Sequence, residues 1–122
     1  MNQNLLRYAL PAFVWTTLIT VLCLMPGKDL PSVSIVNFDK FVHISFFGMH
    51  NLLYLRWGVF GNGIKFSPIR ITIFTIFYGG LIEILQGTFY TDRHADLMDF
   101  IANSVGALIA LYCIRFTPNF LK

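Results

Sequence analysis

Apolar residues in this chain fall into four long runs, and the polar residues that interrupt them are few. The first run, residues 5–25, has a single charge, Arg7, near its start and ends at Pro26-Gly27. About twenty residues at a rise of about 1.5 Å cross the hydrocarbon core of a bilayer, and Pro-Gly stops a helix. A cleaved signal peptide fits less well. The basic lead is thin, the run is too long, and Leu22-Cys23-Leu24-Met25-Pro26 lacks small residues at cleavage spacing. Leu22 before Cys23 also argues against a lipoprotein signal. After a polar loop at 28–38, helices are predicted over 39–57, 68–87 and 96–116. Residues 58–63, with three glycines, read as a turn, Pro68 suits a first helical turn, and Pro118 follows the last helix. No repeat of the solenoid kind is visible. The pattern predicts an all-α protein, an integral membrane bundle of four spanning helices in one domain, residues 1–122.

Composition agrees with the pattern. The hydrophobic fraction is 56% and the charged fraction 12%, against about 25% charged in soluble domains. A formal charge of +3, spread between apolar segments rather than clustered, excludes a nucleic-acid partner. Cys23 and Cys113 would lie near opposite faces of the bilayer, out of disulfide reach. Arg7, Arg56, Lys65, Arg70, Arg115 and Lys122 would share one face; all five aspartates would lie at the other, with Glu83 nearer that side. The positive-inside bias then predicts both termini in the cytoplasm of a plasma (inner) membrane protein. Ala102, Gly106 and Ala110 on the fourth helix, and Gly79 and Gly87 on the third, predict close packing of those two helices as a tight hairpin.

Against so apolar a background the polar residues stand out. Asp39 and His43 are four apart on the second helix, with His50 further along; Glu83 and Gln86 are three apart on the third. Asp96, Asp99, Asn103 and Gly106 form one stripe on the fourth. A carboxylate inside a spanning helix costs about 2.5–3.5 kcal/mol, so these three strips are expected to converge in one pocket that opens outward. Carboxylates with a histidine can hold a divalent cation or act as a general acid–base pair. Arg93 and Lys40 can bind an anion. No serine or cysteine sits beside a candidate base, so covalent nucleophilic catalysis has no particular support.

Asp39-Lys40-Phe41-Val42-His43, Glu83-Ile84-Leu85-Gln86, Arg93 to Asp96, and Asp99 to Asn103 and Gly106 together resemble the VanZ-like family in order and spacing on three helices. The resemblance covers nearly the whole chain; Ala110 departs from it where the family often has glycine. It implies a bacterial cell-envelope membrane protein of about four spanning helices. The family's founding member is associated with low-level resistance to a glycopeptide antibiotic. No reaction comes with the likeness.

The sharper of the resulting readings makes this an envelope enzyme or modifier. Glu83, His43 and Asp99 are then the catalytic candidates and Arg93 an anion clamp, with Asp39, Lys40, Gln86, Asp96 and Asn103 lining the ligand site. The guest would be membrane lipid or an anionic lipid-linked or cell-wall precursor. The blander reading is a scaffold whose polar cluster only locks helices together, with Asp99 offsetting its helix dipole and Lys40 snorkelling to head groups. His50 and Asn51 read as interhelical glue and His94 as an exposed loop residue. A third reading, an ion or proton carrier using His50, is disfavoured because the third and fourth helices lack polar stepping stones toward the cytoplasm.

Overall fold

A computed structural model describes residues 3–29, 32, 34–35, 37–61, 66–89 and 94–117. They form α1 (Gln3–Cys23), a 3-10 turn (Gly27–Asp29), α2 (Phe38–Phe60), α3 (Pro68–Phe89), α4 (Leu97–Cys113) and a closing 3-10 turn (Ile114–Phe116). No strand occurs among the described residues. α1, α3 and Leu97–Phe116 are each long and apolar enough to cross a membrane. α2 has the length but carries Asp39, Lys40, His43, His50, Asn51 and Arg56.

Polarity is distributed in the reverse of a water-soluble bundle. Val14, Val21, Phe74, Phe77, Leu81, Ile84, Leu108 and Tyr112 are exposed, whereas His43, His50, Asn51, Thr72, Thr75, Glu83, Gln86 and Asn103 are buried. A lipid solvent accounts for this: apolar side chains gain nothing by leaving hydrocarbon, whereas polar groups must find partners inside. The threonine hydroxyls of α1 bond back to their own helix, Thr16 to Ala12 O and Thr17 to Phe13 O, a local way to satisfy a hydroxyl in an apolar medium. Pro11 lies within α1 without ending it, a placement tolerated in membrane helices.

α2 is the hub. It packs against the other three helices, most extensively α4, while α1 rests on α2 with a lighter contact to α3. The tightest seam is therefore not the α3–α4 hairpin predicted from the small-residue spacing. At Gly106 a Cβ would run into the Ile44 carbonyl and lie 2.9 Å from the Gly48 amide nitrogen; at Gly48 it would lie 3.2 Å from Gly106 O. Two helices meet here through bare backbone. Gly79, on α3, faces the side chains of Phe47 and Asn103 instead, which hold α3 further off. Because Gly48 meets Gly106 and Asn51 reaches Ala107 O, α2 and α4 run parallel, with α1 and α3 antiparallel to them.

The predicted turn at residue 58 is also displaced. Helix α2 continues through Phe60 to a C-cap at Gly61. Gly58 is therefore inside the helix, where a Cβ would meet the terminal methyl of Ile71 on α3. Asn37, at φ 60°, starts α2 from the left-handed region, which asparagine enters more readily than most residues.

Candidate functional site

The first turns of α2 and α4 and the last turns of α3 lie at one end of the bundle, and each carries a polar residue inward. α2 supplies His43 (8% exposed), α3 supplies Glu83 (4%), and α4 supplies Asn103 and Asp99. His43 Nδ1 is 2.8 Å from Asn103 Oδ1 and 3.7 Å from Glu83 Oε1, and Nε2 is 3.4 Å from Asp99 Oδ2. Because an amide oxygen only accepts, this pairing puts a ring proton on Nδ1, while Nε2 is turned toward the Asp99 carboxylate. Glu83 Oε2 accepts from the Asp96 backbone N–H at 3.3 Å. Glu83 Oε1 is buried with no hydrogen-bond partner, and so is Asn103 Nδ2.

Lys40 closes the outer end of the cluster. Its ammonium donates to Asp39 (2.8 Å), Asp96 (3.0 Å) and Asp99 Oδ1 (2.5 Å). Asp96 itself is the N-cap of α4, accepting from Met98 N–H at 2.8 Å, the bond that satisfies an orphan donor at a helix start. The Lys40 hydrogen bond, then the Met98 N–H, hold the Asp96 carboxyl below its ordinary 3.8. Three carboxylates (Asp39, Asp96, Asp99) thus hold the Lys40 ammonium, and Glu83 adds a fourth acid behind them. The ensemble is acidic.

Three predicted strips do converge, with differences in membership. His43, Glu83, Asp99 and Asn103 meet directly. Asp39 does not join them: its side chain is 62% exposed and its partner is Lys40, so the inward face of α2 runs Lys40, His43, Phe47, Asn51. Gln86 is buried but turned to α1, donating to Cys23 O at 2.6 Å, where it satisfies a carbonyl at the helix end. Lys40 is held by carboxylates rather than free for an anion. Arg93, the expected anion clamp, lies outside the described residues.

A second polar layer sits deeper. Asn51 donates to Thr72 Oγ1 (3.0 Å) and Ala107 O (2.7 Å) and accepts from Thr75 Oγ1 (3.1 Å), joining α2, α3 and α4. His50 Nδ1 lies 3.2 Å from Thr75 Oγ1, and its ring stacks on Tyr78 at 5.0 Å and 15°. The tyrosine hydroxyls in turn pair with α1, Tyr54 with Thr16 and Tyr78 with Thr20. Thr72 and Thr75 correct the expectation that the third helix is bare of polar groups on the side away from Glu83. Threonine is near neutral in hydropathy, so neither drew notice; their spacing of three was the available signal.

A family model described as VanZ/LLP1 matches residues 3–118. No curated protein and no solved structure matches the chain.

Proposed function

This chain belongs to the VanZ/LLP1 family, and on that premise we propose that it is a bacterial cell-envelope protein whose polar cluster receives the head group of a lipid or lipid-linked wall precursor. His43, Glu83 and Asp99 are the groups that meet the guest, and Asn103 orients the imidazole. One observation carries this reading: Glu83, 4% exposed in a helix apolar enough to span a membrane, keeps one carboxylate oxygen without a hydrogen-bond partner and 3.7 Å from an imidazole. A carboxylate retained only to lock helices would be expected to have both oxygens bonded, because an unmade buried bond costs about 1–3 kcal/mol. Intramembrane acids of this kind generally mark functional sites. Asp99 and Lys40 are half-buried at the bundle end, giving a guest an approach from head-group depth. Arg7, Arg56, Arg70 and Arg115 on the segments that lie at the opposite end support, by the positive-inside bias, a reading with both termini in the cytoplasm and the cluster toward the outer face of the plasma membrane.

Strains carrying Glu83→Gln or His43→Ala, at wild-type protein levels in the membrane, should lose the protein's effect on lipid-precursor pools and on glycopeptide tolerance. Unchanged pools and tolerance in both strains would overturn the proposal. The deeper Asn51–Thr72–Thr75 network supports a second reading, in which polar residues throughout serve packing alone. Under it, Glu83→Gln would lower thermal stability as much as Asn51→Leu does.

A further inference from the structure

The acidic balance of the cluster poses a problem for the guest just proposed. An anionic head group would meet carboxylates, and the one ammonium among them is already bonded to three of these. Among the described residues the cluster holds no second ammonium or guanidinium. His43, Glu83 and Asp99 each offer one donor atom, and the three lie within 4.8 Å of one another. Zn–N and Zn–O bonds of about 2.0–2.2 Å put tetrahedral donors about 3.4 Å apart. The His43 Nε2–Asp99 Oδ2 separation is 3.4 Å. Glu83 offers an oxygen within 4.8 Å of both, with Oε1 3.7 Å from His43 Nδ1.

Two further features point to a cation. The Glu83 Oε1 atom is buried without a hydrogen-bond partner, the His43 ring standing 3.7 Å away, and a cation between them would satisfy it. Asn103 holds the far nitrogen of His43 at 2.8 Å, which fixes the ring in the way metal-bound histidines are held by an outer partner.

We propose that His43, Glu83 and Asp99 bind one divalent transition ion of the zinc or manganese kind, with Asn103 as a positioning residue and Lys40 neutralising the second oxygen of Asp99. Three protein donors leave open positions on such an ion. A phosphate or carboxylate oxygen of the guest takes one of them, so the ion supplies positive charge beyond that of the described side chains. The mixed set of one imidazole and two carboxylates suits zinc or manganese better than a soft-metal site. This inference rests on the head-group reading of the same cluster.

The test uses the full chain purified in detergent, stripped with EDTA and titrated with ZnCl2 and, separately, MnCl2, with bound metal measured after desalting. One equivalent of at least one of the two ions should be retained and should raise the melting temperature. Glu83→Gln, Asp99→Asn and His43→Gln should each weaken binding at least ten-fold. Asn103→Ala should weaken it by about ten- to a hundred-fold without changing stoichiometry. His94→Ala, on an exposed residue, should bind as wild type. A variant that fails to fold is replaced by the other two, and comparing stripped with loaded wild type needs no variant at all. Neither ion retained, or equal retention in all variants, would overturn the site. The two readings fail separately. A metal-free wild type whose Glu83→Gln strain still loses its precursor effect sinks the ion alone. Metal held by the three residues in a protein whose variants leave precursors untouched keeps the ion and sinks the precursor.

Discussion

Asn51 and Glu83 are both buried polar residues in an apolar bundle, yet their surroundings differ in a way that predicts opposite responses to mutation. Asn51 uses its amide on partners from two other helices. Removing it takes a partner from the Ala107 carbonyl and from both threonine hydroxyls, leaving Thr72 on Pro68 O and Thr75 on His50. Asn51→Leu should destabilise by about 1–3 kcal/mol, read as a lower melting temperature in detergent. Glu83 is satisfied on one oxygen only. Replacing a poorly satisfied functional acid commonly leaves stability unchanged or raises it, so metal-free Glu83→Gln should melt at or above the wild-type temperature. Equal losses in the two variants would favour packing as the sole role of both residues. Sequence spacing alone placed the two in the same class, because polarity in an apolar run shows that a residue is unusual and not how many of its atoms are bonded.

At the scale of elements, the contact between α2 and α4 positions the site. Gly106 lies one helical turn from Asn103, and its backbone rests on Ile44 and Gly48, next to His43. Gly106→Ala should push the two helices apart, at a cost of about 1–3 kcal/mol, and lengthen the His43–Asn103 bond, so lost stability and lost site function should appear together. Gly80→Ala offers a contrast, since a Cβ there meets only the edge of the Phe100 ring, at 3.1 Å. It should melt within about 1 kcal/mol of wild type by the same thermal scan. The small-residue spacing of the fourth helix was legible in the sequence, but its partner was not. A glycine marks where a close approach is permitted. Only the opposing residue, Gly48 rather than a position on α3, says which helix makes it.

For the whole molecule, the exposed apolar shell and the polar interior describe a protein whose solvent is lipid. The sidedness proposed from charge is testable by labelling. In a Cys113→Ser background, Asp39→Cys should react with a membrane-impermeant maleimide added to intact cells, whereas Gln3→Cys should react only after permeabilisation. The reverse pattern would invert the orientation. What the amino-acid order determined by itself was the all-helical architecture, the membrane character and the three polar strips, because hydropathy and helical periodicity are properties of neighbouring residues. Arg93 and the rest of the loop at 90–93 fall outside the described residues, so their expected place beside the strips stays with the sequence. Tertiary structure alone decided that α2 pairs in parallel with α4, that Gln86 serves α1 while Glu83 serves the cluster, and that Lys40 is held among carboxylates. Those outcomes depend on which backbone can come close enough to which other, and residues sixty positions apart in the chain carry no local sign of it.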